Sequence, residues 1–365
     1  MKDQHGITTE LFFPVAEADG DAIFKEVEKQ AKKITQGTIG LHYTGGTKAM
    51  STHAYRALEK LGSATHQNIV FSYLDAHTRT LMVEPVGDKP KQAISLTRWP
   101  EEVAGDQPGL ENLAELHKER LRPPEHKPSH LAAAQSIFQL FRHPYDAPNL
   151  AKAWRSWLTG QVHPFAKVGR YWKPEADLQA LDLPWPEGNL RPFRRNIQEI
   201  FGLVGAPRLS IGSAAAYLEI QSGAFCEWLD GLWLEEIVFD LVSGLKPALN
   251  LHNIQRSLEL EPTGGGLPKC ELDIVALRGY QLFGFSCTTS TNADINKDKW
   301  MEALLRGQQL GGDEARIALV TFFDRTDALR SEFAQKWQVD EQIKIFGPAD
   351  FGNLKDAISN WMERV

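Results

Sequence analysis

Along the first hundred positions, apolar and polar residues alternate in short blocks, and the period of each block predicts its element. Residues 7–13 are β-branched and aromatic and stop at Pro14, the pattern of a strand. Ile23, Phe24, Val27 and Ala31 recur at helical spacing behind Asp19-Gly20-Asp21, which predicts a capped helix running to Lys33. Residues 38–43 predict a short strand and 49–61 a helix closed by Gly62. Two further strands are predicted at 69–73 and 80–86, with Asp75-Ala76-His77 as the turn between them. Strand, glycine turn, helix, strand is the order of a doubly wound α/β unit.

From about Arg98 the texture changes. Pro100, Pro108, Pro123, Pro124 and Pro128 punctuate a polar stretch that reads as a connector with one short helix. Residues 129–205 read as mainly helical and hold four of the ten tryptophans. From about Ser213 the pattern is α/β again. Trp228, Leu229, Trp233, Leu234, Ile237, Val238 and Leu241 form the apolar set of one long helix over 214–244. Residues 271–277 and 281–287 predict a hairpin around Arg278-Gly279-Tyr280. Asp294 is the expected cap of a helix over 295–310 that Gly311-Gly312 stops. Strands at 315–323 and 343–346 and a terminal helix at 348–363 complete the pattern, and no repeat recurs at a fixed period.

Length and composition narrow the class. At 365 residues the chain is too long for one compact domain, and 42% hydrophobic with 24% charged residues excludes wholesale disorder and coiled coil. No window approaches the roughly 18–20 uninterrupted apolar residues of a membrane span. The start carries no basic-then-apolar signal, so a soluble, cytoplasmic protein is expected. Cys226, Cys270 and Cys287 are odd in number and lack CxxC spacing, against a disulfide framework or a zinc site. The eleven histidines show no paired ligand spacing. A net charge of −7 excludes a protein that coats nucleic acid through global basicity, so any such contact is local. One local stretch is basic: Lys152, Arg155, Lys167, Arg170 and Lys173, with no acid among them and Trp154, Trp157, Phe165, Tyr171 and Trp172 interleaved. Such a stretch can bind phosphates and stack bases. The expectation is instead that the aromatics form a core and the charges its wet surface, because tryptophans are mostly buried. Arg191, Arg194 and Arg195 form a smaller cluster with the same ambiguity, and Thr263-Gly264-Gly265-Gly266 reads as a flexible turn.

Chemistry can sit in two places. Thr44-Gly45-Gly46-Thr47-Lys48 ends a predicted strand and opens a predicted helix. Glycines admit close backbone approach, and the helix N-terminus offers N–H groups to an anion. The loop suits a phosphate without being a Walker A loop, and it equally reads as a tight turn with a capping threonine. The second place is the hairpin. Residues two apart in a strand share a face, so Lys269, Glu271 and Asp273 point one way. Ser286 falls opposite Asp273, and Thr288 shares its face. Glu235 or Glu236 on the preceding helix can reach the same edge. Converging carboxylates can hold Mg²⁺ or Mn²⁺, which activates water in phosphodiester cleavage; a solvated strand face is the alternative.

Together these residues resemble a family. Leu41-His42-Tyr43-Thr44-Gly45-Gly46-Thr47-Lys48-Ala49-Met50 resembles the signature of CARF domains, the CRISPR-associated Rossmann fold that senses cyclic oligoadenylates. Gly231-Leu232-Trp233-Leu234-Glu235-Glu236, then Glu271-Leu272-Asp273, then Gln309-Leu310-Gly311-Gly312 resemble a PD-(D/E)xK nuclease domain. The order is that of the CARF-fused effector nucleases of type III CRISPR systems. The resemblance implies an α/β chain with a Rossmann-like CARF domain at 1–98 and a connector and helical middle region at 99–212. A restriction-endonuclease-like domain would follow at 213–365. It implies a homodimer that binds cyclic tetra-adenylate or hexa-adenylate through Thr44, Gly45, Gly46, Thr47 and Lys48. A metal-dependent cut in single-stranded DNA, RNA or plasmid DNA would follow, with Asp273 and Glu271 on Mn²⁺ or Mg²⁺ and Glu235 in support.

Two departures accompany the resemblance. Where the family has acid-x-lysine, this chain has Ser286-Cys287-Thr288. Lys269 on the same strand face, or Lys297 or Lys299 on the next helix, is then the substitute. Failing that, the chain is a catalytically inactive sensor or nucleic-acid-binding protein that acts through a partner. Cys287 alternates away from Ser286 and Thr288 and reads as a small core residue. The first βα unit that normally precedes the ligand loop is expected to be missing or rebuilt.

Overall fold

The computed structural model describes residues 18–45, 47–65, 68–75, 78, 80–86, 90–95, 109–116, 119–122, 129–142, 146–262, 270–337 and 343–364. The strand expected at 7–13, Ala76 and His77 of the expected turn, the five prolines of the connector and the turn at 263–266 lie outside the described residues. The chain forms two compact units, Met1–Trp99 and Pro100–Val365.

In the first unit, α1 (Gly20–Ala31) starts on Asp19, whose carboxylate accepts from the Ala22 N–H at 3.0 Å. There follow β1 (Thr38–His42), α2 (Lys48–Thr65), β2 (Asn68–Asp75), β3 (Thr80–Pro85) and β4 (Gln92–Ser95), in sheet order β1-β2-β3-β4. β1 and β2 are parallel across α2, while β2/β3 and β3/β4 are antiparallel. One βαβ crossover leading into a meander therefore replaces the expected doubly wound unit among the described residues. The physical reason is connection length. A parallel return needs a dozen or more residues, and Asp75 and Thr80 are joined by only four. Gly62 does not end α2 but lies inside it. A Cβ there would stand 3.1 Å from Ile69 Cδ1, so the glycine lets helix and strand approach. Ile39, Leu58, Leu61, Ile69 and Phe71 form the core of this unit.

The second unit opens with α3 (Leu110–Leu116), β5 (Glu119–Leu121), α4 (Leu131–Leu140) and α5 (Ala147–Trp157). A wide turn at Leu158–Val162 leads to α6 (His163–Ala166) and a small hairpin of β6 (Lys167–Val168) and β7 (Tyr171–Trp172). Next come α7 (Glu175–Gln179), β8 (Asp182–Leu183), α8 (Arg194–Ile200), β9 (Leu209–Ser210), α9 (Ile211–Tyr217), α10 (Ser222–Glu227), α11 (Trp233–Ser243) and α12 (Lys246–Leu249). The long helix expected over 214–244 is broken. Glu219 takes φ +58° between α9 and α10, a left-handed conformation no helix interior accommodates. The rest of the unit is β10 (His252–Pro262), β11 (Cys270–Arg278), β12 (Gln281–Thr288), α13 (Ala293–Gly311), β13 (Arg316–Thr321), α14 (Thr326–Trp337), β14 (Ile343–Phe346) and α15 (Leu354–Glu363).

These strands build a six-stranded mixed sheet in the order β14-β13-β12-β11-β10-β5. β12, β13 and β14 are parallel; the others are antiparallel. The β11–β12 register, Ile274 opposite Phe285 and Arg278 opposite Gln281, follows the expected hairpin, with Gly279 at φ +60° in the turn. Alternation divides the sheet between two cores. Ile274, Ala276, Phe283, Phe285, Ala318 and Val320 join Trp154, Trp233 and Ile358, a cluster that runs through helices on both sides of residue 213. Val275, Leu277, Leu282, Ile317 and Leu319 join Trp300, Leu304 and Phe333 on the other face. The cap of α13 is Asn292, not Asp294: its side-chain oxygen accepts from the N–H groups of Asp294 and Ile295 at 2.8 and 3.3 Å.

Candidate functional site

The hairpin delivers Asp273 to the sheet with its side chain buried at 7% exposure. Its Oδ2 accepts from the Ser286 hydroxyl at 3.2 Å and from the Cys287 N–H at 2.6 Å. Both donors are neutral, and among the described residues no cation pairs with this carboxylate. A buried carboxylate held only by neutral donors is costly, and a bound cation would relieve that cost.

Glu235 and Glu236 are adjacent on α11, and the structure separates their roles. Glu236 is buried. It pairs with Arg256 of β10 at 3.3 Å and accepts from the His130 N–H at 3.0 Å, tying the start of α4 to the sheet. Glu235 is half-buried, and its charge reaches the Cys287 thiol. Burial first, then Asp273 and Glu235, push that thiol well above its ordinary value; Lys299 alone acts in the opposite direction. Asp273, Glu235 and Lys299 thus all act electrostatically on the Cys287 thiol near the end of β12. Lys297 is turned away, pairing with Glu332 of α14 at 2.8 Å. Lys269 lies outside the described residues. Glu271 stands opposite Glu259 in the register, and its side chain is not described.

A network that sequence reasoning missed fixes α13, the helix that carries Lys299. Asn296 and Thr321 are fully buried, and Ser290 nearly so. Asn296 Nδ2 donates to the carbonyls of Ser290 and Asn292 at 3.0 and 2.7 Å, and the Thr321 hydroxyl donates to Asn296 Oδ1. Thr288 accepts from the Ser290 N–H at 3.1 Å, so this side chain serves the turn after β12. Asp273 and Glu235 supply the hard oxygens that Mg²⁺ or Mn²⁺ takes. The donor set fits such an ion in kind, although among the described residues no three His, Cys, Asp or Glu side chains cluster at ligand spacing.

A second carboxylate, Asp230, sits in the helical turn between α10 and α11. Arg155 and Lys167 each approach it to 2.8 Å, and His163 Nε2 to 3.0 Å. Their hydrogen bonds and charges outweigh burial and hold the Asp230 carboxyl far below the usual carboxylate range. Thr289, the residue after Thr288, donates its hydroxyl to the Asp230 carbonyl at 2.5 Å and accepts from Arg155 at 3.3 Å. The cationic cluster thus abuts the end of β12. Of the interleaved aromatics, Trp154 and Trp157 are core as expected, whereas Phe165 and Tyr171 are exposed.

In the first unit, Thr44 to Lys48 link β1 to α2. Thr47 caps α2 by accepting from the Met50 N–H at 3.2 Å, and Thr44 Oγ1 accepts from the Leu74 N–H at 2.6 Å. Gly45 and Lys48 are exposed, and a Cβ on Gly45 would meet nothing within 4 Å. Gly46 lies outside the described residues.

Residues 225–365 match the Card1-like endonuclease domain. The matched stretch contains Glu235, Asp273, the Ser286-Cys287-Thr288 triplet and Lys299. It includes the sequence motifs that resembled a nuclease domain. In structure, the chain is similar to Can2 from Sulfobacillus thermosulfidooxidans in complex with cyclic tetra-adenylate. The TM-score is 0.63 at 12% identity, over 95% of this chain and 83% of that one. It is also similar to protein VC1899 from Vibrio cholerae, at TM-score 0.62 and 16% identity, over 95% of this chain and 82% of that one. No curated protein matches the chain in sequence. Both structural likenesses are of fold, a mixed α/β arrangement with several sheets. Among the described residues no helix is long and apolar enough to cross a membrane.

Proposed function

We propose that the chain is a metal-dependent endonuclease regulated by a cyclic oligoadenylate, cutting phosphodiester bonds of DNA or RNA in antiviral defence. The observation that carries this reading is Asp273. It is a buried carboxylate with no cation partner among the described residues, inside a stretch that matches an endonuclease domain. In this reading Asp273 and Glu271 hold Mg²⁺ or Mn²⁺ and Glu235 supports them. The ion, when bound, supplies an activated water and offsets charge on the phosphate.

The chain's own groups do the rest. Ser286 and the Cys287 N–H fix the Asp273 carboxylate through Oδ2, which leaves Oδ1 for a ligand. Lys299, anchored through the Asn296–Thr321 network of α13, replaces the missing lysine. It orients the attacking water and neutralises the developing charge with an ammonium of three donors. The unit at 1–98 is the sensor, with Thr44, Gly45, Gly46, Thr47 and Lys48 against the ligand. Residues 99–212 form the connector and helical middle, and 213–365 the nuclease. A homodimer in the cytoplasm completes the reading; the ligand switches it by binding the active arrangement more tightly than the inactive one.

The second reading, an inactive nuclease-fold sensor, is favoured by Thr288, whose side chain is taken up by the turn. One experiment separates the two. Supercoiled plasmid and labelled single-stranded RNA and DNA are incubated with the protein in Mn²⁺, with and without cyclic tetra- or hexa-adenylate, beside Asp273→Ala. Ligand-dependent cutting that Asp273→Ala abolishes is the expected result. Tight ligand binding with no cutting overturns the nuclease and leaves the sensor.

A further inference from the structure

The basic, aromatic stretch around β6 and β7 is not absorbed by the site described above. Three of its side chains are large, apolar and exposed within seven residues: Phe165 at 49%, Val168 at 66% and Tyr171 at 65%. They surround an open tip at Gly169, where φ is +60° and an added Cβ would meet nothing within 4 Å. The Arg170 guanidinium lies 5.0 Å from the centroid of the Tyr171 ring and donates to its hydroxyl at 2.7 Å, holding the ring outward. Lys167 stands 4.1 Å from the Trp172 centroid while pairing with Asp230. No acidic residue occurs from 147 to 174 in a chain whose net charge is −7. Asp230 enters this patch from outside that stretch, and its one negative charge faces Arg155, His163 and Lys167 together. Glu175 and Glu227 act on the same neighbourhood around Cys226, Glu175 accepting from the Ser222 and Gly223 N–H groups. Arg155, Lys167, Arg170 and Lys173 outnumber these three acids. The patch therefore keeps a positive excess. Through Thr289 it adjoins Thr288, at the end of the strand that carries Ser286 against Asp273.

We propose that this hairpin is a docking platform for single-stranded nucleic acid. Unpaired bases stack on Tyr171 and Phe165, Arg170 and Lys173 take the flanking phosphates, and Arg155 and Lys167 draw the strand toward the end of β12. The inference rests on the nuclease reading for its purpose, but the surface binds with or without chemistry. Exposed ring faces select single strands because a duplex keeps its base faces stacked internally. The sugar plays no part in stacking, so DNA and RNA strands are both accommodated.

The test is fluorescence anisotropy of the full chain in EDTA, where cutting cannot occur. The probes are labelled oligothymidylate, oligouridylate and a duplex of equal length. The expected result is tighter binding of both single strands than of duplex. Tyr171→Ala weakens it about tenfold, the scale of one lost stack. Tyr171→Phe, which keeps the ring, stays near wild type. Replacing Arg170 and Lys173 with alanine lowers the slope of log affinity against log salt by about 1.4, the value for two contacts to a single strand. Wild-type binding that Tyr171→Ala leaves unchanged, or equal affinity for duplex, overturns the platform while leaving the nuclease reading intact. Tyr171-dependent binding in a protein that never cuts in Mn²⁺ supports the platform and overturns the nuclease. A wild-type protein that binds no strand overturns the platform and leaves the nuclease reading to the cutting assay in Mn²⁺.

Discussion

Asp273 and Asp230 both touch the end of β12, through Ser286 and Cys287 in one case and Thr289 in the other, and they are stabilised in opposite ways. Asp230 is about a quarter exposed, and two ammonium or guanidinium groups and an imidazole close around it. Asp273 is deeper, yet its partners are a hydroxyl and a backbone amide. Electrostatics assigns the first to structure: its charge is already met, and taking it away strands three donors. The second is buried and met only by neutral donors, an arrangement that a bound cation would complement. Two aspartates that look alike in sequence thus separate by the charge of what surrounds them.

Conversion to asparagine breaks this comparison most sharply. Asp273→Asn is expected to reduce Mn²⁺-dependent cutting to background. It should leave the metal-free melting temperature unchanged or raised, because an uncompensated buried charge becomes neutral in the same shape. Asp230→Asn is expected to do the reverse: retain cutting in the folded protein but cost about 3 kcal/mol of stability, as expected for breaking a buried ion pair. By calorimetry that is a fall in melting temperature of roughly 6–12 °C. A fall of that size for Asp273→Asn in the absence of metal would contradict its assignment.

The pH dependence of stability sharpens the contrast. The folded state lowers the Asp230 pKa, mainly through His163, Lys167 and Arg155 acting against burial. Its contribution is therefore fully present above the unfolded carboxylate pKa of about 4 and is lost as pH falls through the folded value. The difference in melting temperature between wild type and Asp230→Asn should shrink as pH falls below 4. A difference that grows as pH falls below 4 would reverse the sign and rule out the ion-pair account.

The same contrast shows what the sequence made legible. Asp273 opposite Ser286 follows from a tight hairpin and a period of two, so local rules suffice. The Asp230 cluster unites residues separated by 63 to 75 positions, and no local pattern announces it. His163 carried no spacing signal for the same reason. The basic stretch was visible, but its division into buried tryptophans and an exposed tyrosine depends on which way a two-residue strand turns. Local rules also failed where the backbone leaves its usual region. Glu219 breaks a helix that its apolar period extends, and Asn253 at φ +47° lies where the register of β10, a strand that escaped prediction, shifts.

Gly307 tests how tightly α13, and with it Lys299, is held against the sheet. A Cβ at Gly307 would come 2.0 Å from Ile317 Cδ1 and 2.7 Å from Ile317 Cγ1, in a fully buried layer. Gly307→Ala gains helix propensity but must displace that isoleucine. The expected net is a loss of about 1–2 kcal/mol, read as a lower denaturation midpoint. Cutting should fall with it if Lys299 is displaced along with the helix. Reduced stability with undiminished cutting would mean that the position of Lys299 does not depend on this contact.

The smallest effect is expected at Cys287, which sits nearest the candidate chemistry without taking part in it. Its amide holds Asp273, but its thiol faces the opposite core, with Phe283 and Phe285. Burial, then the charges of Asp273 and Glu235, raise its pKa well above the ordinary thiol value. The reactive thiolate is therefore absent at neutral pH, and the side chain behaves as a small apolar group. Cys287→Ala keeps the amide and is expected to leave cutting within about twofold, at a cost of about 1 kcal/mol for the small cavity. Alkylation of the folded protein at pH 7.5, followed by mass spectrometry, should leave Cys287 unmodified. Loss of cutting in Cys287→Ala with the fold intact would place the thiol in the reaction and remove the distinction between a positioning amide and an idle side chain.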